Sequence, residues 1–360
     1  MSEQPTSATT ASPHAPPPGP PPADAASWPV RLRTALGDIK LAHSVFAMPF
    51  AVLGATIAIA HERPTPREAA IIIALILAAM VAARTWAMLV NRLADRRFDA
   101  DNPRTARRAL ASGRLAPAEA WAIAAAAALV FVAVCAAFYL ALGNLWPLAL
   151  SLPVLAWIAL YSYTKRFTAT AHFFLGSALA ISPICAALAA GPSVFGFYPS
   201  IAPAPSVATI QSDSGVLSFL PAGWFGALGW HDSSNALLFL SGFVALWVAG
   251  FDIAYALQDL AFDRQRGLRS IPARLGMRAS LWISRLTHAA AFACLVAVAL
   301  LEPRFDALFA SAVVAVAALL VFEHVVLARR GLAGLPLAFF TVNGVVACLL
   351  GAAGVIDVIL

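Results

Sequence analysis

The chain is poor in charge. Of its 360 residues only 12% are Asp, Glu, Lys or Arg, against 61% hydrophobic, a balance that excludes an ordinary soluble domain. It is also poor in cysteine. Cys135, Cys185, Cys294 and Cys348 all fall in apolar runs without CxxC spacing, so neither a disulfide framework nor a thiolate metal site is expected, and the four read as small core residues. The apolar runs lack period-two alternation, which argues against a membrane barrel. The N-terminal segment lacks a basic start followed by an apolar core, so it is not expected to be a cleaved signal peptide. Its first 29 residues instead carry nine prolines, including "PPPGPPP". Such a stretch cannot bury enough apolar surface to fold, and residues 1–35 are expected to form a disordered tail. The segment 191–234 contains no Lys or Arg at all.

What the chain does contain is long apolar runs. Runs of ~20 apolar residues can cross a bilayer as helices, and nine reach that length: roughly 39–61, 68–95, 117–142, 146–163, 170–190, 235–260, 277–301, 305–328 and 335–359. The fold class expected is an all-α polytopic membrane protein with nine transmembrane helices over residues 36–360. The net charge of +6 does not point to nucleic acid, because the basic residues collect beside alternate ends of these runs. Arg31, Arg33 and Lys40 precede the first run, the arginines of 92–108 follow the second, and Lys165 and Arg166 follow the fourth. Arg264, Arg266, Arg269 and Arg274 follow the sixth, and Arg329 and Arg330 the eighth. By the positive-inside rule that side and the N-terminus are cytoplasmic, and 191–234 is an external loop, part of it ("FLPAGWFGALGW") suited to the interface.

Charge is concentrated in "NRLADRRFDADNPRTARRALASGR", residues 91 to 114, with seven arginines and three aspartates. Asn91, Asp95 and Asp99 are four apart, about one helical turn, so their oxygens line one face. Two readings fit. The arginines neutralise the aspartates in a solvated loop, or the oxygens hold a hard divalent cation that bridges to substrate phosphates, as Mg2+ does. A second stretch favours the latter. "FDIAYALQDLAFDRQRGLRSIPARLG", residues 251 to 276, places Asp259 and Asp263 one turn apart, with Asp252 two turns deeper. Acidic pairs from two runs on the same side suit two metal ions clamping a diphosphate. Arg84 lies seven residues before Asn91, inside the second run, where an arginine marks a cavity or a partner. It pairs with Asp252 or contacts substrate. Arg104, Arg108, Lys165, Arg166 and Arg264 flank the clusters and are candidate phosphate ligands, guanidinium binding bidentately and lysine as a point charge, with Lys165 and Arg264 the favoured two. Asp252, and Tyr255 at the head of "YALQDLAFD", are further candidate substrate contacts.

The two motifs, together with "YSYTKRFT" and "IKLAHSVFAMPFAVLGA", resemble the UbiA superfamily of intramembrane prenyltransferases, with its NxxxDxxxD and DxxxD cores. The resemblance covers residues from about 36 to 360 and is strongest to the 4-hydroxybenzoate polyprenyltransferase group. It implies a UbiA-type helical bundle with a cytoplasmic-side active site in the cell inner membrane. Asn91, Asp95, Asp99, Asp259 and Asp263 would hold two Mg2+ on the diphosphate of a polyprenyl donor, the four aspartates being the catalytic set. It also implies transfer of the prenyl group to an aromatic acid in quinone biosynthesis. The loop 191–234 departs from the family's compact pattern. A dihydroxynaphthoate of the futalosine-based menaquinone route is the alternative acceptor. A transporter is the alternative of another class, disfavoured because the carboxylates gather at one face and no inverted repeat is visible.

Overall fold

The computed structural model describes residues 28–39, 46–197 and 232–360, and within them the chain is helical. The helices are α1 (Trp28–Ile39), α2 (Met48–Glu62), α3 (Pro66–Asp101), α4 (Pro117–Leu142), α5 (Trp146–Thr164) and α6 (Ala171–Ala190). They are followed by α7 (Asp232–Tyr255), α8 (Leu260–Gln265), α9 (Ile271–Leu301), α10 (Ala307–Arg330) and α11 (Asn343–Ile359). Among the described residues, eight helical stretches are long and apolar enough to cross a membrane. The expected ninth, 39–61, differs. Its described part, Met48–Glu62, has 15 residues, about 22 Å of helix against a hydrocarbon layer of ~30 Å. Residues 40–45 lie outside the described part. Residues 1–27 and 198–231, covering most of the expected tail and external loop, do so too.

Helix α7 is the central element, packed between α6 and α9, while α2 sits on α6 and α11 on α2. These contacts are close because small residues form them. A methyl group on Gly176 would strike the carbonyl of Ala245, and one on Gly54 the carbonyl of Pro183. Lipid tails give helices no hydrophobic reason to associate, so close van der Waals approach at small residues does that work. Trp247 is fully buried in a cluster of aromatic rings with Phe46, Phe50, Phe243 and Phe251. Its indole N–H donates to Asn343 Oδ1 at 2.7 Å, which satisfies a polar atom that lipid would leave bare. On the outside, Leu129, Leu140, Leu152, Leu286, Leu300 and Val314 are two-thirds or more exposed, as a hydrocarbon solvent permits. The four cysteines are unpaired, and Cys348 is exposed rather than part of the core.

Two boundaries differ from the expectation. Residues 28–35, assigned by composition to the disordered tail, begin α1, an Arg31–Glu119 ion pair tying that helix to α4. The second apolar run, expected over 68–95, continues as helix through the charged stretch as far as Asp101. Helix α3 has 36 residues, about 54 Å, so its last turns project beyond an apolar layer of ~30 Å. Water and side chains can satisfy arginines there without ending the helix.

Candidate active site

At that projecting end of the bundle the two motifs form facing walls of one cavity of about 450 Å3. Asn91, Asp95 and Asp99 line it from α3, and Asp252 and Tyr255 from α7. The second motif is not continuous helix. After Tyr255 the chain makes a 3-10 turn, Ala256–Asp259, before the six-residue α8 that carries Asp263. A 3-10 turn advances 120° per residue against 100° in an α-helix, so four such residues rotate α8 by about 80° relative to an unbroken helix. Asp259 and Asp263 line the cavity all the same.

The arginines set the motifs in place. Asn102 caps α3, and the turn after it folds back over both walls. Arg108 Nη1 donates to both oxygens of Asp99, at 2.7 and 2.8 Å. Arg104 donates through Nε (3.0 Å) and Nη2 (2.5 Å) to the two oxygens of Asp259, where Asn102 Nδ2 also donates at 3.1 Å. The Arg104 pair is bidentate, two nitrogens to two oxygens, which fixes orientation as well as supplying energy. The Arg104 guanidinium lies 5.8 Å from the Tyr255 ring centroid, and Tyr255 stacks on Phe339 at 4.0 Å. Burial pulls the Arg104 charge down, but the hydrogen bond and ion pair with Asp259 outweigh it and raise its pKa above the ordinary value. Asp263, nearly inaccessible, accepts from Ser270 Oγ at 2.8 Å. Ser270 is the N-cap of α9 and receives the Ala273 N–H at 3.2 Å.

Lys165 follows α5 and reaches the same cavity. Burial lowers the affinity of its amine for a proton, but Asp263, Asp95, Asp252 and Asp259 together more than offset this and hold it above the ordinary lysine value. Arg166 donates to the Ala94 carbonyl at 2.5 Å and lies 4.0 Å from Asp95. The Lys165 carbonyl accepts from Arg269 N at 2.8 Å, which pins this loop to the second motif.

Of the residues singled out from the sequence, Asn91, Asp95, Asp99, Arg84, Arg104, Arg108, Lys165, Arg166, Asp252, Tyr255, Asp259 and Asp263 all line the cavity. Arg264 does not. It is exposed, and its Nε donates to the Ala273 carbonyl at 2.9 Å, because the turn of α8 carries it away from its neighbour Asp263. Nor does Arg84 pair with Asp252. Arg84 Nε is buried without a hydrogen-bond partner, and Asp252 Oδ2 instead meets His172 Nδ1 at 2.7 Å. Sequence patterning does not single out His172, since a lone histidine opening an apolar run carries no spacing signal.

Away from the motifs the cavity turns apolar, along Ile76, Phe131, Phe138, Leu150, Val154 and Leu188. It is lined at both ends of α5, by Lys165 and by Trp146. Nineteen residues of rise separate these, roughly 28 Å. A charged head and a long apolar tail are what such a space can hold.

Asn and Asp oxygens, without thiolate or imidazole among the five motif residues, are a donor set suited to Mg2+. Among the described residues, no three acidic, imidazole or thiol groups converge as a ready-made metal cluster. Mg2+ requires none, being held commonly by one or two carboxylates with substrate phosphates and water. The residues fit the ion in kind.

Comparison with known proteins bears on the same segments. The UbiA prenyltransferase family model matches residues 47–345. The 4-hydroxybenzoate octaprenyltransferase of Nitrosomonas europaea is 32% identical over 193 residues, 54% of this chain and 51% of that protein, so the match spans about half the length of that relative. The apo structure of a UbiA homolog from Aeropyrum pernix superposes with a TM-score of 0.68 at 30% identity, covering 88% of this chain and 98% of that one. A UbiA homolog from Archaeoglobus fulgidus bound to GPP and Mg2+ gives 0.59 at 17% identity, covering 91% of this chain and 100% of that one. With a match that begins in α2, runs through both aspartate motifs and ends in α11, the chain belongs to the UbiA prenyltransferase family.

Proposed function

We propose that this protein transfers a polyprenyl group from a polyprenyl diphosphate to an aromatic acid, 4-hydroxybenzoate, in quinone biosynthesis. The observation that carries this reading is one cavity that runs roughly 28 Å along α5, with carboxylates and cations at one end and an apolar wall beyond them. Family membership and the name of the Nitrosomonas relative support it, and the Archaeoglobus homolog, bound to GPP and Mg2+, supports the choice of ion.

Asn91, Asp95, Asp99, Asp259 and Asp263 would hold Mg2+, which when bound neutralises charge on a diphosphate leaving group. Lys165, with Arg104, Arg108 and Arg166 around the motif aspartates, supplies the protein's own positive charge near the place where negative charge grows as the allylic C–O bond breaks. Arg84 and Tyr255 sit further along the walls, placed to contact the donor or the ring. The apolar lining excludes water from the allylic cation until a ring carbon ortho to the phenolic hydroxyl attacks it.

Residues from α1 onward would form the transferase domain in the cell inner membrane, with 1–27 a tail on the cytoplasmic side and 191–234 an external loop. The arginine asymmetry supports that orientation. A single cysteine at Ser212 should then react with an impermeant thiol reagent on intact cells, and one at Ala106 should not. Labelling of Ala106→Cys alone would invert the topology.

The deciding experiment incubates membranes containing the protein with Mg2+, a long-chain polyprenyl diphosphate and either 4-hydroxybenzoate or a dihydroxynaphthoate, and identifies products by mass. A prenylated hydroxybenzoate that disappears on chelation is the result expected. A prenylated naphthoate alone would move the protein to the other acceptor, and no product with either would reject aromatic transfer.

A further inference from the structure

Among the described residues, Asp252 is the one cavity carboxylate outside the two motif cores. It belongs to α7, before the 3-10 turn. Three α-helical and four 3-10 steps separate it from Asp259, roughly 12 Å along the axis. That places it on the apolar side of the charged end, at the level where a donor's first carbon and an incoming ring must meet if the diphosphate occupies the motifs. Its partner differs in kind from those of Asp99 and Asp259. Where each of these has both oxygens held by a guanidinium, Asp252 is bonded through Oδ2 to His172 Nδ1 at 2.7 Å. Among the described residues its Oδ1 accepts no hydrogen bond, while Lys165 interacts with the carboxylate through space. His172, the second residue of α6, is 1% exposed, and its Nε2 has no hydrogen-bond partner. With the ring proton on Nδ1, the histidine donates to Asp252 and leaves only a lone pair at Nε2, the tautomer that strands no buried N–H.

We propose that Asp252 receives the proton lost from the aromatic ring, and that His172 is the positioning residue that holds one of its oxygens and leaves the other for the acceptor. This rests on the prenyl-transfer reading above. In the step, the allylic C–O bond breaks and its electron pair leaves with the diphosphate. A ring carbon ortho to the hydroxyl contributes a π pair to form the new C–C bond. The hydrogen on that carbon passes as a proton to the Asp252 carboxylate, and the C–H pair restores the aromatic ring. The carboxylic acid so formed returns its proton to water as product leaves. An arginine on both oxygens would obstruct such a transfer by favouring the charged form, whereas the imidazole leaves one oxygen available.

The test uses the full chain in lipid nanodiscs with Mg2+, a polyprenyl diphosphate, and 4-hydroxybenzoate either unlabelled or deuterated ortho to its hydroxyl. Two rates are measured: C–C coupling, and diphosphate release without acceptor. In Asp252→Asn the ratio of coupling to acceptor-free release should fall by about 100-fold or more, the size of a lost general base. In His172→Phe it should fall by about tenfold, as for a lost supporting partner, and a primary deuterium isotope effect larger than in wild type should emerge. His172→Asn, whose amide can still donate to Asp252, should recover much of the loss. A mere tie between α6 and α7 would predict coupling and release falling together with an unchanged isotope effect, and that result overturns the proposal. So does a wild-type ratio in His172→Phe. If wild type itself releases diphosphate but couples no aromatic acceptor, the acceptor reading fails and this proposal with it. That case is told apart because it appears before any substitution is made.

Discussion

The two aspartate motifs share a spacing of four residues and line one cavity, yet they are built in different ways. Asn91, Asp95 and Asp99 lie on unbroken α3, where each residue inherits its direction from the helix and Arg108 closes on Asp99 nine residues later. Asp259 ends a 3-10 turn and Asp263 sits in a six-residue helix, too short to hold its own shape in water. Outside braces hold the second motif: Asn102 and Arg104 from the turn after α3, Ser270 from the cap of α9, and the Arg269 bond to the Lys165 carbonyl. Equal spacing in sequence therefore does not mean equal rigidity. One motif is carried by its helix and the other by its neighbours.

The comparison is broken most directly at the aspartates. Asp95→Asn and Asp259→Asn should each lower turnover by at least about 100-fold without affecting membrane insertion, read by fractionation alongside product mass. Near-normal turnover in either would mean that one wall does not take part. The braces come next. Arg104→Ala removes the two-point link from the first motif's turn to Asp259 and leaves Asn102 alone there, whereas Arg108→Ala leaves α3 to orient Asp99. The expected losses in kcat/KM are about 100-fold against about tenfold, and equal losses would remove the distinction between the motifs. Lys165→Met should cost stability by a pH-dependent amount. The Lys165 pKa is raised in the folded protein, so its contribution is fully present below the unfolded value of ~10.4 and is lost only as pH climbs through the raised one. The gap in Tm between wild type and variant should stay constant up to about pH 10 and narrow above it. A gap that closes in the neutral range would show the stabilising charge to be elsewhere. The smallest effect is expected at Thr65, whose capping box with Glu68 starts α3 far from the site. Thr65→Ala should cost about 1 kcal/mol in denaturant unfolding and leave kcat unchanged.

The first motif is legible in the sequence because its chemistry and its backbone have the same period. Three oxygens at four-residue intervals on a helix share a face whatever the rest of the fold does. The second is legible as chemistry but not as structure, since nothing in "YALQDLAFD" announces a 3-10 turn between two helical segments. Arg264, beside Asp263, is favoured over Arg104 by sequence, yet Arg104 lines the cavity and Arg264 does not, because the turn of α8 carries Arg264 away. Helix α3 runs further than its apolar length suggests because hydropathy measures the part dissolved in lipid, while a helix can continue into water. His172 lies beyond the reach of sequence patterning for a related reason. Its role depends on a partner 80 residues away on another helix, a pairing that no local pattern encodes.

The length of the cavity has a further consequence, for selectivity. A prenyl tail that leaves water for a protein pocket gains ~0.8 kcal/mol per methylene, so a soluble enzyme could grade its donors by affinity. A tail that enters the channel beside α5 leaves a bilayer, and lipid is already as apolar as the side chains that replace it. The partition coefficient between the two phases is close to one for each added unit. Longer donors should thus bind this protein no more tightly than shorter ones as far as the cavity extends, to Trp146, and discrimination by length should take the form of a steric cut-off with a flat plateau below it.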